Sequence, residues 1–350
     1  MKKVFINGYG SIGKRIAKFI LDDPELQLIG IGKHTPDNTI NKILSKGLKI
    51  YVLQKKLDKF KDYKISGSIE NAIEECDLVI DASPSGCGFY NKKNIYDKKN
   101  VMVIYQGGET IFGNNAISDL IFNSTVNYDQ VKDKKHVIQG SCNVTGMGRI
   151  LNPLIIKYGK DLLRFDLTLI RRWADLEDDK TIVKDSIELV NNPHHANDVI
   201  SYLGKKIPIF VRAIKVPTRQ MHVHFLDVRF HHKVPDISEI LSLFKNKYGI
   251  AILETAKNTK EIRDFAQSTK FNFKDTNMIH IYSMFVEKTE DTIKICYSDD
   301  QTGIVIPENH LLLQAMLFKR NYDDAIQHTE KIFHMEQKKK LLEMHFANYT

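Results

Sequence analysis

The chain has 350 residues, 42% hydrophobic and 27% charged, a composition that excludes disordered and fibrous classes. That length exceeds one ordinary core, so two domains are expected. The formal net charge of +8 rests on dispersed lysines without interleaved aromatics, which argues against nucleic acid and suits phosphorylated anionic substrates.

The run Lys3–Asn7 is strand-like and leads into Gly8-Tyr9-Gly10-Ser11-Ile12-Gly13, after which Ile12, Ile16, Phe19 and Ile20 repeat at helical spacing. A second apolar run, Leu26–Ile31, completes a βαβ unit. In that setting Gly8 permits a tight turn, Gly10 a close approach to pyrophosphate and Gly13 close helix packing, so a dinucleotide is expected at the helix start. Beyond the second strand stand Gly32-Lys33-His34-Thr35, with no carboxylate before Asp37. A lysine and a hydroxyl there match a 2'-phosphate, which favours NADP with dual use of NAD, unless Lys33 is a solvated surface charge.

Further strands are expected at Lys49–Leu53, Asp77–Ala82, Val101–Tyr105 and His136–Gln139, the alternation of a doubly wound α/β domain over residues 1–140. The four cysteines, Cys76, Cys87, Cys142 and Cys296, form no Cys-x-x-Cys pair, so a reducing, cytoplasmic location is expected and no metal is assigned. No apolar run approaches a membrane span or signal segment, so no membrane partner is expected either. In Gly140-Ser141-Cys142-Asn143-Val144-Thr145-Gly146 a thiol opens a helix running to about Tyr158, where the dipole favours a thiolate. The amides there, with Asn143, are suited to an oxyanion. Cys87, in a glycine-rich turn where no helix clearly begins, is the rival thiol.

From 141 to 307 a catalytic α+β domain with a mixed or antiparallel sheet is expected. Its strands are Leu163–Arg172, Ile207–Val216, Met221–Phe230, Met278–Phe285 and Thr292–Tyr297, largely without helices between them. Arg171 and Arg172 end the first of these and Arg219 precedes the third; guanidinium groups bind phosphate bidentately. His222 and His224, two apart, share one strand face, and either could take a thiol proton; His194 and His195 form a second pair, while His231 and His232 read as surface residues. The tail from Glu308 reads as one or two helices.

Seven ordered segments carry a resemblance: Ile6 to Arg15, Gln106-Gly107-Gly108-Glu109, Ser141-Cys142-Asn143, Leu169 to Arg172, Pro193-His194-His195, Pro217-Thr218 with Met221 to His224, and Ile304 to Asn309. Together they resemble the archaeal-type, phosphorylating glyceraldehyde-3-phosphate dehydrogenases over nearly the whole chain to about His334. The resemblance implies cofactor contacts from Ser11, Ile12, Gly108, Arg171 and Gln301, substrate contacts from Ser141, Cys142, Asn143, His194 and His195, and a base from the His222 to His224 strand. It further implies inorganic phosphate as co-substrate, a homotetramer, and a carboxy-terminal segment, 308–350, that returns to the cofactor domain.

The departures are a long connection from Thr110 to Asp129, Val144 in place of threonine, and a lysine-rich end from Gln337. Two other readings stay open: a related aldehyde or acyl-phosphate reductase such as an aspartate-semialdehyde dehydrogenase, and a non-catalytic NADP-sensing regulator.

Overall fold

A computed structural model describes every residue except Gly107, Asn192, Lys205, Tyr349 and Thr350. The parts of the Gln106 to Glu109 and Asn192 to Asp198 segments that fall on Gly107 and Asn192 therefore lie outside the described residues. Two compact units divide the chain, Met1–Ser141 with Glu308–His328, and Cys142–Pro307 with Thr329–Thr350.

The first unit holds β1 (Lys2–Asn7), β2 (Leu26–Lys33), β3 (Ile50–Val52), β4 (Gly67–Ser68), β5 (Leu78–Asp81), β6 (Met102–Tyr105), β7 (Ile121–Phe122) and β8 (His136–Gln139). Every pairing is parallel, in the order β4-β3-β2-β1-β5-β6-β8-β7. Parallel strands are covered on both faces, and Val4, Phe5 and Ile6 are accordingly fully buried. The sheet grows in opposite directions on the two sides of β1, which puts the carboxyl end of β1 at the switch point where open α/β sheets take ligands.

β4 and β7, two residues each, are too short to show any alternation and were not expected. β7 accounts for the long connection after Glu109: it adds an edge strand beside β8. Just beyond it, Ser124 donates its amide and hydroxyl to the Glu308 carboxylate at 2.9 and 2.7 Å, while Gln106 and Asn309 exchange amide hydrogen bonds at 2.7 and 3.0 Å. Glu308 and Asn309 thus fasten the start of the carboxy-terminal segment of this unit to the parallel sheet. A second buried anchor is Asp23, whose Oδ2 accepts from His310 Nε2 at 2.9 Å and His328 Nε2 at 3.0 Å. Burial would raise the Asp23 carboxyl, but the hydrogen bond and charge of His310 outweigh it and hold it at about 2.

The second unit holds β9 (Leu162–Arg172), β10 (Glu188–Val190), β11 (Ile209–Val216), β12 (His222–Phe230), β13 (Ile250–Leu253), β14 (Ile279–Tyr282), β15 (Glu287–Lys288) and β16 (Thr292–Asp299). Their order is β10-β11-β9-β12-β16-β14-β13, with β15 on β16. Two pairings, β11 with β9 and β13 with β14, are parallel and the rest antiparallel, so the sheet is mixed as expected. Those parallel pairs explain a correction. Helices His195–Leu203 and Thr259–Ser268 lie where direct joins were expected, because parallel neighbours need a crossover and a hairpin cannot supply one; a third helix, Ile237–Lys245, carries the chain from β12 to the non-adjacent β13.

The tail is also corrected, to three helices: Val305–Phe318, Tyr322–Phe333 and Met335–His345. The last belongs to the second unit, where Met335, Leu342 and Phe346 share a core with Met221, Leu253 and Ile262. Assigning all of 308–350 to the first domain therefore overreached.

Candidate active site

In the first unit the glycine turn is built as the sequence requires. Gly8 sits at φ +120°, and a Cβ there would lie 2.4 Å from the Ala82 carbonyl oxygen; a Cβ on Gly13 would lie 2.3 Å from that of Gly8. Above Gly10 a Cβ would meet nothing within 4 Å. Gly10 caps the helix Ser11–Asp22, whose start has no side-chain cap and no acidic residue in its first turn. Its amides, with half-buried Ser11 and Ile12 leading the helix, therefore form a cradle that fits a dinucleotide's phosphates.

Lys33 ends β2 almost fully buried, its Nζ held by Asp37 at 2.9 Å and by the Thr39 hydroxyl at 2.8 Å. It is not the solvated surface charge of the alternative reading. Gly108, at φ +110°, accepts a hydrogen bond on its carbonyl from the Ser85 hydroxyl at 2.7 Å, and Ser141, half-buried, closes this unit's first segment.

The thiol chemistry is assembled in the second unit. Cys142 is the first residue of the helix Cys142–Tyr158, and its Sγ lies 3.3 Å from His222 Nε2. β12 alternates inward and outward, so His222 and His224 point to the same buried face, as their spacing predicts. His222 Nδ1 accepts the Arg172 backbone amide at 3.2 Å. In a neutral imidazole the proton then sits on Nε2, facing the sulfur as a donor. Burial, followed by the charge of Arg172, holds His222 well below its ordinary pKa and so neutral.

His224 is fully buried and donates Nε2–H to the Asn143 carbonyl at 2.9 Å. Burial and the charge of Arg171 push it down to about 3. The Asn143 amide lies 3.4 Å from His195 Nε2 and 3.9 Å from the sulfur, so two imidazoles fix its orientation. His195, buried and lowered to about 2 chiefly by desolvation, stacks on exposed His194, itself tied to Asp198 at 2.6 Å. Of the two strand histidines, His222 is the one whose ring nitrogen reaches the thiol.

Burial, and then the Asp299 carboxylate, push the Cys142 thiol up to about 12, against the pull of the helix start. Arg219 spends its guanidinium on the carbonyls of Asp175, Asp178 and Thr181, folding that loop back, and so has no fork turned to a phosphate. Gln301 donates to the Arg219 carbonyl at 3.3 Å. Finally, a short helix does begin at Cys87, but that thiol is exposed and, among the described residues, has no imidazole hydrogen-bonded to it.

Sequence reasoning missed Asp299. It is fully buried at the end of β16, opposite His222 in the β12 register, and its carboxylate lies within 4.8 Å of the Cys142 sulfur and of a His222 ring nitrogen. Among the described residues neither of its oxygens has a hydrogen-bond partner, and the same is true of Arg171 Nε, Arg172 Nε and His195 Nδ1. Buried polar atoms left open in one cluster are where a polar ligand's groups would be received.

A parallel sheet with a phosphate-type glycine turn and a thiol set among neutral imidazoles put the chain in the class of thiol-dependent, nucleotide-linked oxidoreductases. No protein-family model matches it. Among curated proteins it is 33% identical over 340 residues to the glyceraldehyde-3-phosphate dehydrogenase of Sulfolobus acidocaldarius, covering 94% of this chain and 96% of that one. It is 32% and 31% identical over 342 residues to those of Saccharolobus islandicus and Saccharolobus solfataricus, covering 95% of this chain and 97% of each relative. The chain belongs to the archaeal-type glyceraldehyde-3-phosphate dehydrogenases, a family of NAD(P)-dependent, phosphorylating enzymes.

Proposed function

We infer that this chain oxidises D-glyceraldehyde 3-phosphate with NAD(P)+ and inorganic phosphate to 1,3-bisphosphoglycerate through a thioester on Cys142, in glycolysis or gluconeogenesis. The observation that carries the reading is the Cys142 sulfur, 3.3 Å from His222 Nε2 at a helix start, in a chain of this family. Bound NAD(P)+ supplies the hydride acceptor. Cys142 is the nucleophile, and the His222 Nε2–H, with the Asn143 amide, supports the oxygen that gains charge when sulfur adds to the aldehyde. Arg171, Arg172 and His195 support phosphate binding through the donors left open among them.

The roles read from the sequence for Ser141 and His194 toward substrate, and for Gly108, Arg171 and Gln301 toward cofactor, belong to the same proposal. So does a domain division in which the first unit takes the dinucleotide and the second the aldehyde. Exposed Phe210 and Phe225, beside Arg164 and Arg229 on the outer face of the mixed sheet, support assembly into the expected homotetramer. Among the described residues no helix is long and apolar enough to cross a membrane, and a reducing, cytoplasmic setting suits a free catalytic thiol.

A substrate comparison tests the reading. Reduction of NAD(P)+ is expected with glyceraldehyde 3-phosphate and not with aspartate semialdehyde; the reverse preference would move the chain to the related reductases. For the cofactor, Lys33 with Thr39 supports NADP, Asp37 being the carboxylate a 2'-phosphate would have to displace. Losing a charge-assisted hydrogen bond costs about 1.5–3 kcal/mol. Lys33→Ala should therefore raise the KM for NADP by roughly tenfold or more and leave that for NAD little changed. Equal changes for the two cofactors would remove the NADP preference.

A further inference from the structure

Three side chains far apart in the sequence converge within the first unit. Asp23 caps the helix Ser11–Asp22, and its Oδ1 accepts the Glu25 amide at 2.9 Å, which aims Oδ2 at two imidazoles. His310 Nε2 stands 2.9 Å from that oxygen and His328 Nε2 3.0 Å, and the three ligand atoms all lie within 4.8 Å of one another. The two rings are stacked 5.5 Å apart and 15° from parallel, and both present Nε2 to the same oxygen. Asp23 and His310 are fully buried, whereas the His328 side chain is 13% exposed.

Hydrogen bonds alone do not satisfy this arrangement. Arg320 Nη1 donates to the Gln314 side-chain oxygen, which turns the Gln314 amide nitrogen toward His310 Nε2 at 3.3 Å. That ring nitrogen therefore meets an amide donor and a carboxylate acceptor at once. Protonated, it sets its N–H against the Gln314 amide; unprotonated, it sets its lone pair against the Asp23 carboxylate. A cation lodged between Nε2 and Oδ2 takes the lone pair and the carboxylate together and leaves no N–H to oppose the amide. We propose that Asp23, His310 and His328 bind one divalent first-row transition cation, of which Zn²⁺ is the best matched.

Two imidazoles and a carboxylate are a donor set suited to Zn²⁺. Its bonds to nitrogen and oxygen run about 2.0–2.2 Å, so neighbouring ligand atoms stand roughly 3.0–3.4 Å apart, and the pairs found here need to open by a few tenths of an ångström at most. A fourth oxygen is at hand in Glu25, whose Oε2 lies 3.7 Å from His328 Nε2 and accepts from Arg320 Nη2 at 2.6 Å. Asp23 and Glu25 together balance the charge of the ion. Bound there, it clips the end of the helix Ser11–Asp22 to residues 308–328 of the same unit. An unfolded chain holds no such site, so the binding free energy becomes stability of that unit. No spacing in the sequence announces the cluster, because its ligands come from positions 23, 310 and 328.

The test is Zn²⁺ binding to the full chain carrying Cys142→Ser, which takes the thiol out of the other cluster able to hold a cation. After equilibration with Zn²⁺ and desalting, elemental analysis should find about one ion per chain, and EDTA should lower the thermal midpoint. His328→Gln and His310→Gln each keep a hydrogen-bond donor and lose an imidazole ligand. Either should weaken binding by about 100-fold or more, beyond what loss of an outer-shell partner costs, and leave a midpoint that EDTA no longer moves. Co²⁺ in place of Zn²⁺ should give visible d–d bands without a thiolate charge-transfer band, and His328→Gln should lose them. His231→Gln, outside the cluster, should bind as its parent does. A parent that retains no Zn²⁺, or a His310→Gln/His328→Gln double variant that is folded by circular dichroism and retains it, overturns the proposal. Should His310→Gln fail to fold, the Zn²⁺ content of the parent and of His328→Gln decides the matter.

Discussion

Cys142→Ser should reduce aldehyde oxidation by roughly 10⁶-fold, the scale seen when the nucleophile of a concerted site is deleted, while Cys87→Ser leaves turnover near that of the parent. The difference follows from surroundings. Cys142 opens a seventeen-residue helix with His222 Nε2 at 3.3 Å and the Asn143 amide at 3.9 Å, whereas Cys87 begins a five-residue helix and is exposed. A serine hydroxyl is a far weaker acid than a thiol, and in this site it would meet the same burial that already lifts the thiol. Cofactor reduction, followed by absorbance, measures both variants. Loss of turnover in Cys87→Ser with retention in Cys142→Ser would exchange the two assignments.

Much of this architecture was legible because it depends on local rules. The glycine turn declared itself through spacing between a strand and an amphipathic helix, and Gly8 and Gly13 prove to be demanded by backbone contacts of 2.4 and 2.3 Å. The shared face of His222 and His224 followed from strand period alone. What failed was whatever depends on strand order and burial. Asp299 stands in Tyr297-Ser298-Asp299-Asp300, which reads like an acidic strand end bound for solvent; only its pairing opposite His222 brings it to the thiol.

Arg219 was misread for a related reason. Its sequence position beside the histidine strand says nothing of a loop, 173–181, that folds back to take up its guanidinium. The helix start is weighed against burial at Cys142. A helix terminus contributes about 0.3–1 kcal/mol, less than the roughly 1.4 kcal/mol of a tenfold change in ionisation, so burial and a carboxylate within 4.8 Å prevail.

Rapid mixing of enzyme, NAD(P)+ and glyceraldehyde 3-phosphate without inorganic phosphate tests the thioester most directly. If Cys142 carries the acyl group, one hydride leaves per acylated sulfur, and the thioester then waits for its acceptor. In the proposed reading the donors left open on Arg171, Arg172 and His195 receive that acceptor, and the imidazoles beside the sulfur, buried and held low, are poorly set to activate water in its place. A burst of reduced cofactor of about one per active subunit is expected, then a stall that added phosphate relieves, with an acyl phosphate as product. A steady rate indifferent to phosphate, yielding the free acid, would contradict it.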